Sequence, residues 1–132
     1  MAKQVVDAAY EVHHALGPGR LESVYEACMV HELIKRGLKV ERQVVVPILY
    51  DGVRLDAGLR LDLGVEEKLI VELRAVEALL PIHQAQLLTY LKLSGFRLGL
   101  LVNFQRPGHQ GWDQAPRALK RFILASWCLG GE

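Results

Sequence analysis

From Leu59 to Arg74 apolar and polar residues alternate with the period of a strand, in two runs. Leu59, Leu61, Leu63 and Val65 are interleaved with Arg60, Asp62 and Gly64; beyond Glu66-Glu67-Lys68, Leu69, Val71 and Leu73 are set against Glu72 and Arg74. This pattern predicts a β-hairpin with one apolar face. If Glu66, Glu67 and Lys68 form the loop, Asp62 stands opposite Glu72 on the face without leucines, with Cβ atoms roughly 5 Å apart. An even loop would send one carboxylate to the apolar face, where an unpaired charge is costly, so the odd loop is favoured. Opposed carboxylates destabilise a ladder unless a cation, a shared proton or a basic side chain compensates them. A divalent metal would answer that need, with Arg74 two residues further along the same face. The alternative is a solvated hairpin whose carboxylates bridge to Arg60 or Arg74.

The remaining elements follow from spacing. Over residues 3–16, Val5, Val6, Ala9, Val12, Ala15 and Leu16 recur at helical intervals until Gly17-Pro18-Gly19 stops the helix. A second helix carries Leu21, Val24, Tyr25, Cys28, Met29, Leu33 and Ile34 and ends at Gly37. Residues 40–50 read as one strand, with Pro47 marking an edge or a bulge and Asp51-Gly52 turning the chain towards the hairpin. A linker containing Pro81 leads into a helix over residues 82–93, closed by Gly95. Residues 98–104 form a nearly continuous apolar run, expected as a buried strand. Residues 106–114 read as a loop, and Pro116 opens a final helix carrying Leu119, Phe122, Ile123 and Trp127. The order α-α-β-β-β-α-β-α predicts an α/β architecture, a sheet flanked by helices, in a single domain over residues 1–132.

Composition narrows the class. The 132 residues suffice for one core, and 51% hydrophobic with 23% charged residues excludes disordered or fibrous chains. A net charge of +1 neither announces nor excludes a nucleic-acid partner, because a local basic stripe can be balanced elsewhere. No apolar run approaches the roughly 18 residues of a membrane span. Cys28 and Cys128 match no zinc or iron–sulfur spacing and read as reduced thiols in a cytoplasmic setting.

Other chemistry-bearing residues sit on helices. Glu22 and Tyr25 lie three apart at the start of the second helix, on one surface, where a carboxylate also suits the helix dipole. His83, Gln86 and Tyr90 share a face of the later helix, where they can contact phosphate or support metal ligands. Glu11 and His14 have an E-x-x-H spacing with no partner motif. Arg117, Lys120 and Arg121 form a basic face that is either a phosphate contact or a solvated surface.

Three of these segments together resemble the GxxExxY family, a branch of the PD-(D/E)XK nuclease superfamily. They are Leu16-Gly-Pro-Gly-Arg-Leu-Glu22-Ser-Val-Tyr25, then Arg60-Leu-Asp62 with Val71-Glu72-Leu-Arg74, then Leu80-Pro-Ile-His83-Gln-Ala-Gln86-Leu-Leu-Thr-Tyr90-Leu-Lys. The likeness runs over residues 5–122. It implies a restriction-endonuclease-like αβββαβ core, a central mixed sheet flanked by helices. It also implies Mg²⁺ or Mn²⁺ held by Glu22, Asp62, Glu72 and the backbone carbonyl of Leu73, with Gln86 and Tyr90 matching the supporting helix motif; Tyr25 and His83 are further candidates, from their helical faces, to support the site or contact nucleic acid. His13 stands where the family tends to carry a histidine.

The family pattern ends in lysine, and this chain has Arg74. Arginine stays protonated and cannot act as a general base, although it can hold a phosphate and neutralise developing charge. The expected activity is metal-dependent hydrolysis of nucleic acid, DNA favoured over RNA with the choice left open, with Glu22, Asp62, Glu72 and Arg74 as the catalytic set and activity reduced by Arg74. The competing expectation is an inactive nuclease-fold module that binds nucleic acid or a protein partner. A homo-oligomer is left open.

Overall fold

The hairpin read from the sequence forms the centre of a five-stranded sheet in the computed structural model, which describes residues 1–77, 79–104 and 124–128. In chain order the elements are α1 (Ala2–Leu16), α2 (Glu22–Lys35), β1 (Val40–Val45), β2 (Ile48–Tyr50), β3 (Val53–Leu55), β4 (Arg60–Val65), β5 (Leu69–Arg74), α3 (Pro81–Ser94), β6 (Leu98–Asn103) and β7 (Leu124–Cys128). The sheet order is β1-β4-β5-β6-β7, antiparallel except for the parallel pair β5 and β6, which α3 connects. Thus α2-β1-β4-β5-α3-β6 has the order αβββαβ, with the separate hairpin β2–β3 inserted between β1 and β4. The sheet is mixed and flanked by helices, as the α/β reading expected. Among the described residues no helix is long and apolar enough to cross a membrane.

Helices cover the sheet on both faces, so the hairpin lacks the solvated face that strict alternation suggested. Leu63, Val65, Leu69, Val71, Leu73, Leu100 and Val102 pack with Val5, Ala8, Ala9 and Val12 of α1 and Tyr25, Met29 and Leu33 of α2. Leu61, Ile70 and Leu101 pack instead with Leu87 and Leu91 of α3. Leu61 and Leu63 therefore lie on opposite faces, although alternation assigns them to one. The phase of β4 changes at Asp62. In β1 the phase changes at Gln43, whose φ of 49° is left-handed: Val40 packs on the α1/α2 side and Val44 on the α3 side. The register places Arg42 with Leu63 and Val44 with Leu61, so Gln43 and Asp62 are the facing positions between them.

Three further expectations are corrected. Residues 40–50 are two strands rather than one, because Pro47 supplies no amide donor and the chain leaves the main sheet there. Pro47 precedes the two-stranded β2–β3, which exposes Leu49, Tyr50 and Val53. Pro81 belongs to α3 as its first residue, where the absent donor costs nothing, and left-handed Gly95 caps the helix. The expected last helix meets a strand: Leu124–Cys128, with Trp127, pairs antiparallel with β6. β6 would otherwise present an unpaired edge in an apolar run, and β7 satisfies its backbone groups. Leu119, Phe122, Ile123, the basic face Arg117, Lys120 and Arg121, and the loop at residues 106–114 lie outside the described residues.

α3 sits close on the sheet because Gly99 lacks a side chain. A Cβ there would lie 2.9 Å from Leu87 Cδ1 and 3.1 Å from its Cγ, and Leu87 is fully buried. This contact sets the height of α3, and hence of Gln86 and Tyr90, above β5. Gly99→Ala is expected to destabilise the fold by about 1–3 kcal/mol through overpacking. Urea unfolding measures this, and an unchanged midpoint would show that Leu87 yields freely.

Candidate metal centre

The β4–β5 ladder runs Val65↔Leu69, Gly64↔Ile70 and Leu63↔Val71, with Glu66, Glu67 and Lys68 in the odd loop expected from the sequence. Glu66 and Glu67 are left-handed, and the Val65 carbonyl accepts from the Lys68 amide at 3.0 Å. One step beyond Leu63↔Val71, Asp62 faces Glu72. There the backbone ladder gives way to side chains. The Asp62 amide donates to Glu72 Oε1 at 3.0 Å, and the Leu73 amide donates to Asp62 Oδ2 at 2.8 Å. Each carboxylate is thus fixed by the partner strand's backbone.

The opposed charges converge on one guanidinium nitrogen. Arg74 Nη1 lies 3.3 Å from Asp62 Oδ2, 3.4 Å from Glu72 Oε2 and 4.0 Å from Glu22 Oε1, and donates to the Leu73 carbonyl at 2.7 Å. Its Nη2 donates to Gln86 Oε1 at 3.3 Å. Glu72 is almost fully enclosed, its side chain 3% exposed, whereas that of Glu22 is 49% exposed. Burial first, and the Asp62 charge second, push the Glu72 carboxyl up to about 8, against the pull of the Asp62 amide and Arg74. Burial also raises the Tyr90 phenol, with the Glu72 charge adding to it, so Tyr90 shares the electrostatic environment of the cluster.

Two residues expected to support the site do other work. Tyr25 is fully buried, not beside Glu22 at the surface; its hydroxyl donates to the Gly17 carbonyl at 2.6 Å and accepts from the Arg20 amide at 3.1 Å. It therefore pins the loop from which Glu22 starts α2. His83 is turned back along α3, where Nδ1 accepts from the Leu80 amide at 2.8 Å, and so caps the helix instead of joining Arg74.

Several positioning residues were not singled out from the sequence. Phe104 stacks on Tyr25, with ring centroids 4.2 Å apart, and on His13 at 6.0 Å, while its amide donates to the Arg74 carbonyl at 2.7 Å. α1 and α2 are thereby registered against the end of β5 that carries the site. Buried Asn103 holds Val76, accepting from its amide at 3.1 Å and donating to its carbonyl at 3.0 Å. Glu26, one turn after Glu22, accepts from Gln43 Nε2 at 3.1 Å and Arg42 Nε at 3.2 Å, tying α2 to the irregular part of β1. The Glu22-x-x-x-Glu26 spacing was the available signal for the last of these.

Oxygen-only donors, two of them anchored carboxylates beside a carbonyl, suit a hard divalent cation such as Mg²⁺. With Arg74 at their centre, no three His, Cys, Asp or Glu side chains among the described residues stand close enough together to hold a metal. The oxygens are spread for a guanidinium nitrogen, at 2.7–4.0 Å, rather than drawn in to the roughly 2.1 Å of Mg²⁺.

The raised Glu72 carboxyl fixes the sign of a pH effect in metal-free protein. Between about 4.5 and about 8 the folded state keeps a proton that the unfolded chain has released. The stability contributed by this group is whole below that window and is lost as pH rises through it. Wild type should therefore lose urea resistance between about pH 4.5 and about pH 8 relative to Glu72→Gln, whose amide does not titrate. Parallel profiles for the two proteins would contradict this.

Comparison with curated proteins and with solved structures finds no match. A family model does match, over residues 1–115, and spans every side chain of the cluster from Glu22 to Gln86. The elements, their order and this match agree that the chain belongs to the PD-(D/E)XK nuclease superfamily.

Proposed function

We propose that this chain is a Mg²⁺- or Mn²⁺-dependent phosphodiesterase of the GxxExxY branch acting on DNA. The observation that carries the reading is the convergence of Glu22, Asp62, Glu72 and the Leu73 carbonyl on one point at the opened end of the β4–β5 hairpin. Asp62, Glu72 and the Leu73 carbonyl would hold the ion, with Glu22 closing the solvent side. A divalent ion bound there activates water and neutralises phosphate charge. Asp62 and Glu72 are each oriented by a backbone amide of the partner strand. Arg74 cannot accept a proton from water; its guanidinium is suited to the non-bridging oxygens of the scissile phosphate. Gln86 orients that guanidinium from α3.

A second reading, a non-catalytic module for nucleic acid or a protein partner, is favoured by one feature: Arg74 already compensates the acidic cluster. Cleavage assays on single- and double-stranded DNA with Mg²⁺, Mn²⁺ or EDTA separate the two. Wild type is expected to cleave only with the metal, and Asp62→Asn to lose about 100-fold or more, equal to roughly 2.7 kcal/mol. Background cleavage under every condition, with DNA binding retained, would favour the module.

Gln86→Ala is expected to lower cleavage with little loss of stability, since Gln86 is exposed and contributes little to the core. A large stability loss with unaltered cleavage would make Gln86 structural. Arg74→Lys is expected to raise metal-dependent cleavage about tenfold, roughly 1.4 kcal/mol, because the smaller ammonium can approach the attacking water. A fall from a robust wild-type rate would instead show that arginine is the working residue.

A further inference from the structure

We propose that the Arg74 side chain is a tethered competitor of the divalent cation: guanidinium and metal exclude each other, and metal enters only when Arg74 leaves. The inference rests on the metal-site reading above and concerns how the site is loaded. The oxygens proposed to ligate the metal, from Asp62, Glu72, Leu73 and Glu22, are those grouped around the single nitrogen Nη1, at 3.3, 3.4, 2.7 and 4.0 Å. Ion pairing puts a positive charge where the metal charge would sit. Two cations drawn to the same few oxygens repel strongly in a site this enclosed, where Asp62, Glu72 and Arg74 side chains are each no more than 20% exposed.

The arginine is also held there by more than charge. Its Nη1 donates to the Leu73 carbonyl and its Nη2 to Gln86, so metal entry must break hydrogen bonds as well as an ion pair. Asp62 and Glu72 keep their backbone amide bonds in either state, because those bonds do not involve Arg74. On its α3 side the guanidinium is bonded to Gln86, a residue exposed at the surface. A phosphodiester in front of the site would offer it a new anionic partner.

The test is Mn²⁺ affinity, read by isothermal titration calorimetry on wild type, Arg74→Met and Arg74→Lys. Arg74→Met keeps the length and apolar stem but removes the competing charge. It is expected to bind Mn²⁺ at least about tenfold more tightly than wild type, with Arg74→Lys between them. In EDTA, Arg74→Met should melt below wild type, since its carboxylates are uncompensated, and should gain more on Mn²⁺ addition. If Arg74→Met does not fold, Arg74→Lys decides alone by binding more tightly than wild type or not. Equal affinity across the proteins would overturn the competition and leave the metal site standing. Mn²⁺ binding by none of them would overturn the metal site itself, and the competition with it.

Discussion

Two carboxylates that the hairpin register sets face to face are the constraint on which the rest of this molecule turns. Asp62 and Glu72 cannot both stay charged in a half-enclosed sheet without compensation. The fold answers in three ways. The ladder opens so that each carboxylate takes an amide of the partner strand, Arg74 is drawn into the gap, and burial raises the Glu72 carboxyl towards the neutral form. Opposition that would merely destabilise an ordinary hairpin is here held in place by strands and helices packed on both faces.

The surroundings are arranged to keep that strained end of the sheet in register. Phe104, stacked with both His13 and Tyr25, ties both N-terminal helices to the Arg74 carbonyl. Tyr25 fixes the turn that launches Glu22, and Glu26 holds the irregular segment of β1 that faces Asp62. Gly99 lets α3 approach until Gln86 reaches Arg74. Each link is local, yet together they converge four chain segments on one point.

Much of this was legible in the sequence where a rule of spacing applied. The odd loop, and with it the opposition of Asp62 and Glu72, followed from refusing to bury an unpaired charge. The buried strand after α3 followed from the nearly continuous apolar run that begins at Leu98, while its parallel pairing with β5 did not. Less legible was anything that depended on a break in periodicity. Alternation put Leu61 and Leu63 on one face, but side-chain bonds at Asp62 and a left-handed Gln43 shift the phase. Tyr25 and His83 were read by helical face, while hydrogen bonds to backbone atoms of neighbouring loops decided their orientation. The strand Leu124–Cys128 exists because β6 needs a partner along its edge, a requirement that residues 124–128 do not announce by themselves.

The oxygens around Arg74 Nη1 are those that would hold a divalent metal, with the arginine standing in its place. The most direct measurement is anomalous diffraction from crystals grown with saturating Mn²⁺. One anomalous peak is expected, bounded by Asp62, Glu72 and the Leu73 carbonyl, with the Arg74 guanidinium displaced towards solvent. No peak at that position, with Arg74 still bonded to both carboxylates, would contradict it.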